Sequence, residues 1–350
     1  MSTSPGNAAD SPDTPGFPPW IRLLRFIEGK RISQVIYALA ELNVADQLVG
    51  GPRSVADLAA AVQANPDALY RLLRVSSAVG VFHEEPDGRF ALTPMGDALR
   101  TDVPYSQRDL ILFNGHEIVT KPIGEIVHSA RTGQPSFDKV FGRSFFEHLD
   151  GNAEAADRFN RAMTRMSLLS TQILLAQADF ASYNTIADVG GGHGFYISEI
   201  LRRNPHLKGT LFDLPEVCAG AEQRIAGSDV ADRLTIVGGD FFEEVPRGFD
   251  AYSIKAVLHD WSDEQASSIL SRVREAIGDN LDARLLLGEF VLSGPNDYDH
   301  GKTLDIEMLL RFGGKERDLA DWRKLLSGVG FEIANSPRPG NWALIECRPV

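Results

Sequence analysis

The chain has 350 residues, 43% of them hydrophobic and 24% charged, with a formal net charge of −13. This is ordinary composition for a globular protein, at a length that suits two domains or one large domain with an appendage. The acidic balance argues against a nucleic acid or an anionic membrane as partner, because a phosphate surface demands a basic face. Only Cys218 and Cys347 are present, which gives no disulfide framework and fits a reducing compartment. Neither has neighbours at metal-ligand spacing, so no metal site is expected. No apolar run approaches the ~20 residues of a membrane span, and the N-terminus lacks the basic-then-apolar layout of a signal peptide. A cytoplasmic location is the default.

Residues 1–18 are small, polar and proline-rich, and bury too little surface to offset ordering, so a disordered tail is expected. From Trp20 to about Leu48 a helical pattern spaces Ile32, Val35, Ile36, Leu39 and Leu42 along one face, which needs a neighbouring helix or a second subunit. Ser54 can cap one following helix, and Asn65-Pro66 can cap and start the next. The stretch VFHEEPDGRFALTP reads as a hairpin turning at Pro86-Asp87-Gly88. Helix, turn, helix and hairpin make residues 19–104 a winged-helix arrangement, which raises the alternative of a DNA-binding regulator. Arg71 and Arg74 would serve it, but Asp67 precedes them, and Glu84, Glu85 and Asp87 would push the wing off phosphates. Dimerisation or scaffolding fits the domain better. Residues 105–180 are again mostly helical and read as a linker and substrate cap.

Residues 181–350 alternate strands and helices around TIADVGGGHGFYISEILRRNPHLKGTLFDLPEV, Thr185 to Val217. A strand at 186–189 stops at glycines, and Phe195, Ile197, Ile200 and Leu201 mark a helix face. A second strand at 209–212 ends on Asp213. Parallel strands joined by a crossover open on the same edge, where such sheets bind ligands. Gly190, Gly192 and Gly194 read G-x-G-x-G, with Phe195 in the slot of the third dinucleotide-fingerprint glycine. Asp213 lies 23 residues after Gly190, about where a ribose-binding acid belongs. A nucleoside held through its sugar is expected, without a clear pyrophosphate seat; a simple tight turn is the other reading. The spacing resembles the S-adenosylmethionine (SAM) site of Rossmann-like methyltransferases.

Further strands at 234–237, 251–257 and 285–289, a helix at 319–327, and apolar segments at 331–334 and 342–346 complete the sheet. Ser262 and Gln265 form a capping box. Asp240 and Phe241 end the third strand, and a carboxylate beside an aromatic ring suits adenine, or else a helix cap and a core residue. His259 follows the fourth strand, with Glu289 at the end of the fifth and Glu316 in GGKER as candidate partners. A general-base histidine hands its second ring N–H to such a carboxylate, although a lone histidine after a strand also serves structure.

DVGGGHG, FDLPEV, GDFF, LHDWSDE and GGKER occur in the order and approximate spacing of one family, across roughly residues 20–348. The chain resembles the SAM-dependent O-methyltransferases of the plant caffeate/flavonoid and hydroxyindole type, in their bacterial natural-product branch. The resemblance implies an α/β, Rossmann-like methyltransferase sheet with an N-terminal, mostly helical winged-helix dimerisation domain. It implies that Gly190, Gly191 and Gly192 contact the methionine part of SAM and Asp213 its ribose, with Leu214 in the same site. Asp240, Phe241 and Lys255 would flank adenine, Ser167 would reach the amino-acid end, and Trp261 would wall the site. It further implies His259 as general base with Glu289 and Glu316, S-adenosylhomocysteine as product, and a homodimer whose N-terminal domains lend residues to the partner's pocket. By position, Asn114, His116, Phe159, Met163, Asp305, Met308 and Phe312 would line the acceptor pocket, though each also suits core or surface. Met166 stands where plant members carry a histidine, and the LLRF segment after Met308 is slightly short. Both lie where acceptors bind, so the plant acceptor is not carried over.

The expected chemistry is base-assisted O-methylation of a phenolic hydroxyl on an aromatic small molecule of secondary metabolism. N- or C-methylation, or SAM-dependent chemistry without methyl transfer, is the alternative on the same scaffold. A phenol of pKa near 10 is about one part in a thousand ionised at pH 7, a handicap of ~4 kcal/mol. A histidine of ordinary pKa cannot remove that proton in advance. It can take it as the oxygen attacks, an effect worth ~10²–10⁴-fold.

Overall fold

The computed structural model describes residues 18–350, so all but the last residue of the expected tail lies outside the described residues. Two compact units emerge: residues 18–120 with Asp157–Ala162, and Lys121–Ala156 with Met163–Val350. Among the described residues no helix is long and apolar enough to cross a membrane.

In the first unit, helices Pro19–Glu41, Val55–Ala61 and Pro66–Ala78 precede a hairpin of β1 (Phe82–Glu84) and β2 (Phe90–Leu92). Ser54 Oγ accepts the Asp57 N–H and Asn65 Oδ1 accepts the Ala68 N–H, with Pro66 starting its helix. The first helix stops at Glu41 rather than near Leu48, because Asn43 turns the chain at φ +54° into the 3₁₀ turn Asp46–Leu48. That turn buries Val44, Ala45 and Leu48 against Leu58, Leu69, Leu73, Phe82 and Phe90. A straight continuation would have carried those side chains away from this core.

The second unit is built on an eight-stranded sheet ordered β5-β4-β3-β6-β7-β10-β9, with β8 pairing β7. The strands are β3 (Thr185–Val189), β4 (Lys208–Asp213), β5 (Leu234–Gly238), β6 (Ala251–Lys255) and β7 (Arg284–Leu292). β8 (Arg317–Asp318), β9 (Phe331–Ile333) and β10 (Asn341–Pro349) follow, and β10 alone runs opposite to the other strands of this sheet. Strand order reverses between β3 and β6, the position at which open α/β sheets receive ligands.

Two strand ends differ from the sequence reading, each for a local reason. β6 stops at Lys255 because Ala256 takes φ +54°; the turned backbone then donates the Val257 and Leu258 N–H groups to Glu289 Oε1 at 3.2 and 3.0 Å. β7 runs on past Glu289 because β10 pairs along it as far as Asn341 opposite Val291. Side chains alternate across the sheet. Tyr252 and Ile254 of β6 join the core that Phe241 and Trp261 pack against, while Ala251 faces the core around Tyr196, Leu286 and Leu344.

Candidate active site

At the end of β3 the chain turns through the glycines into helix Phe195–Arg203. Gly192 sits at φ +59°, where a side chain is strained, and an added β-carbon there would meet nothing within 4 Å. The loop is thus open on that side. Its N–H donates to Asp213 Oδ2 at 2.7 Å, and the Leu214 N–H donates to Oδ1 at 2.8 Å. Burial raises the Asp213 carboxyl and those two donors oppose it. A carboxylate has about four acceptor sites, so both oxygens keep capacity for a ribose diol. An open loop beside a half-satisfied acid at a strand tip fits a nucleoside.

Asp240 Oδ1 accepts the Phe242 N–H at 2.8 Å. Phe241, Phe242 and Trp261 pack edge to face, with centroids 4.9–6.1 Å apart, and form one aromatic wall. Alternation along β6 turns Lys255 to the sheet face opposite that wall, where its ammonium sits 5.7 Å over the Tyr196 ring. Burial lowers its pKa while Asp188 and Glu289 oppose that. Ser167 is half-buried on helix Ala153–Leu175.

Asp188 is a feature that the sequence reading passed over, although it opens DVGGG. It is 1% exposed, and its carboxyl shares the buried interior with the Ser253 hydroxyl and the Lys255 ammonium. An added β-carbon at Gly191 would lie 2.7 Å from its Oδ2, so the carboxyl supports the loop from beneath. Burial pushes it up to about 7. A folded-state pKa above the unfolded one gives stability that is complete below the unfolded value and is lost as pH rises through about 7. Asp188→Asn should therefore raise the melting temperature of the ligand-free protein more at pH 8 than at pH 5, recovering on the order of 4 kcal/mol at most. Thermal melts at the two pH values check this, and an equal shift at both would contradict it.

His259 occupies the short turn Leu258–Asp260 and is 7% exposed. Its Nδ1 donates to Glu316 Oε1 at 2.8 Å, and Glu289 Oε2 lies 3.7 Å from the same nitrogen. Glu289 is itself fully buried and anchored by the Val257 and Leu258 N–H groups. The structure therefore brings together the three residues that the sequence reading grouped as base and partners. It also adds Asp260, whose Oδ1 is 3.6 Å from His259 Nε2; the pair HD within LHDWSDE was the available signal. Burial alone would push the His259 imidazolium down, but Glu316, Asp260 and Glu289 outweigh it and push it up to about 10. Burial pushes Glu289 up to about 7 and Asp260 up to about 6, each held back by His259. The cluster keeps a proton tightly.

The residues expected at the acceptor wall fall in both units. In the first, exposed Asn114 donates back to Leu110 O at 2.9 Å, and Phe159 packs 5.6 Å from Phe113. His116 is half-buried at the end of helix Arg108–Gly115. In the second, Met163 is half-buried and Met308 is 4% exposed. Phe312 stacks on Phe146 at 5.5 Å and meets Phe145 edge-on at 5.2 Å. Asp305 accepts the Glu316 N–H at 2.8 Å, so it steadies the residue that holds His259.

Profiles of two protein families match the chain: the O-methyltransferase domain over residues 123–332 and the O-methyltransferase dimerisation domain over residues 24–102. The chain is 37% identical to the 8-amino-8-demethylriboflavin N,N-dimethyltransferase of Streptomyces davaonensis, over 93% of this chain and 94% of that one. It is 35% identical to a phenazine O-methyltransferase of Lysobacter antibioticus, over 94% and 96% of the two chains. Among solved structures, the calicheamicin-biosynthesis methyltransferase CalO1 in its S-adenosylhomocysteine-bound form superposes with a TM-score of 0.85 at 34% identity, covering 95% of this chain and 98% of that one. With a Rossmann-like sheet, an open glycine loop beside Asp213 and both domain matches, the chain belongs to the SAM-dependent O-methyltransferase family.

Proposed function

We propose that the protein methylates a phenolic oxygen of an aromatic small molecule of secondary metabolism, with His259 as general base and Glu316 and Glu289 as its partners. The observation that carries this reading is the buried imidazole whose Nδ1 is held at 2.8 Å by Glu316, which leaves Nε2 to receive a proton. Bound SAM supplies an electrophilic methyl group. The chain's own residues do the rest. The three acids raise the imidazolium towards the range of a phenol, so the proton passes to Nε2 at less cost than it would to an ordinary histidine. A histidine of ordinary pKa would leave a gap of ~5 kcal/mol. Glu316 and Glu289 compensate the charge that Nε2 acquires. The same tight hold means that the free base form is scarce at neutral pH, so turnover should climb as pH rises.

Relatives named for a phenazine and for an aminoflavin favour a flat aromatic acceptor. The match to a dimerisation domain, with Trp20, Leu23, Phe26 and Ile27 exposed on the first helix, supports a homodimer. A second reading, N-methylation of an aromatic amine, is favoured by the N,N-dimethyltransferase relative. A neutral amine attacks through its lone pair before losing a proton and depends less on a base. Incubation with methyl-labelled SAM and paired panels of aromatic hydroxyl and amine acceptors separates the two. Label on oxygen is expected, whereas label on nitrogen alone would replace the first reading with the second.

A further inference from the structure

The turn that carries His259 is gripped by the segment that supplies Glu316. Arg317 is fully buried, and its guanidinium donates to Leu258 O at 2.8 Å, to Trp261 O at 3.0 Å and to Asp263 Oδ1 at 2.9 Å. Those acceptors lie on both sides of His259 in the chain, and the Trp322 ring, 5.2 Å away, backs the guanidinium plane. Gly314 presses on the same turn: a β-carbon added there would lie 2.1 Å from the His259 carbonyl oxygen. We infer that Arg317 is the positioning residue of the reaction, its planar fork fixing the backbone on either side of His259 so that the ring meets Glu316 at one angle.

Charge neutralisation does not explain the residue. Asp263 has a second cation in Lys315 at 2.8 Å and its side chain is half-exposed. A buried guanidinium with so weak a counter-ion is a costly way to fill a core. Four bonds from one rigid plane, the fourth to Lys315 O at 3.3 Å, are what arginine offers and lysine does not. The inference rests on His259 acting as base. The groups that set the His259 proton are Glu316 from this segment, Glu289 from β7 and Asp260 on its own turn. Behind them lie Arg311 beside Asp260, Lys255 beside Glu289, and Asp305 at the Glu316 N–H.

The test uses full-length Arg317→Lys and Gly314→Ala, the second shifting the turn sterically with every charge retained. Four quantities are measured: melting temperature, SAM binding by calorimetry, kcat against pH, and titration of the His259 ring by NMR, identified as the signal missing from His259→Ala. Both variants should bind SAM like the parent and lose about 10–100-fold in kcat, the scale of a misplacement near 1 Å. The rising limb of kcat and the ring titration should move together to lower pH, because a loosened Nδ1–Glu316 bond holds the proton less firmly. A lowered melting temperature with unchanged kcat and an unmoved ring titration would make Arg317 structural only. If Arg317→Lys does not fold, Gly314→Ala decides on the same measurements. If His259→Ala retains full turnover, the base reading falls, while the ring titration still reports whether Arg317 sets the imidazole.

Discussion

His259→Ala should bind SAM as the parent does and lose ~10²–10⁴ in turnover, the range that a positioned base contributes. The imidazole is not part of the glycine loop or of the Asp213 and Asp240 strand ends, so cofactor affinity has no reason to fall. Its removal leaves Glu289 and Glu316 buried without their cation. Burial already pushes Glu289 up to about 7, so that carboxyl can take up a proton and limit the structural damage. Calorimetry with SAM and single-turnover kinetics on the labelled acceptor check the two halves separately. Turnover close to the parent's, with SAM binding intact, would remove His259 from the mechanism.

Glu316→Gln should shift the rising limb of kcat/KM towards neutral pH and lower its plateau. Glu316 is the largest of the charges that raise the imidazolium, and without it burial pulls the proton affinity down. A weaker base is available at lower pH but accomplishes less when it acts. The acceptor hydroxyl also titrates near pH 10, and the variant tells the two apart, since a limb belonging to the acceptor would not move. Stability follows the same pair. The His259 pKa is raised on folding, so its contribution is complete below about 6.5 and is lost as pH rises through about 10. The melting-temperature deficit of Glu316→Gln should therefore be largest at pH 6 and disappear in strong alkali. A deficit that grows with pH would contradict the assignment.

Much of the catalytic domain could be read in the chain because glycines, helix caps and apolar runs act locally. Ser262 and Gln265 do form a reciprocal cap, and the glycine turn does end β3 beside Asp213. His259, Glu289 and Glu316 stand far apart in sequence and yet converge, with Glu289 inside β7 rather than at the strand end that the sequence suggested. What escaped the reading depends on tertiary context. The left-handed Ala256 ends β6 early to feed Glu289, a conformation that an alanine does not advertise. The face occupied by Lys255 follows from strand register, and one residue of slip would reverse it. Arg317 and Asp260 stood inside quoted motifs, but only the folded backbone shows what they touch.

The most direct measurement is a crystal structure of the protein with S-adenosylhomocysteine and its aromatic acceptor. The acceptor oxygen should lie about 2.6–3.2 Å from His259 Nε2, in place of the looser Asp260 contact, with Nδ1 still on Glu316. An acceptor oxygen out of reach of that nitrogen, or an imidazole swung away from Glu316, would contradict base catalysis by His259.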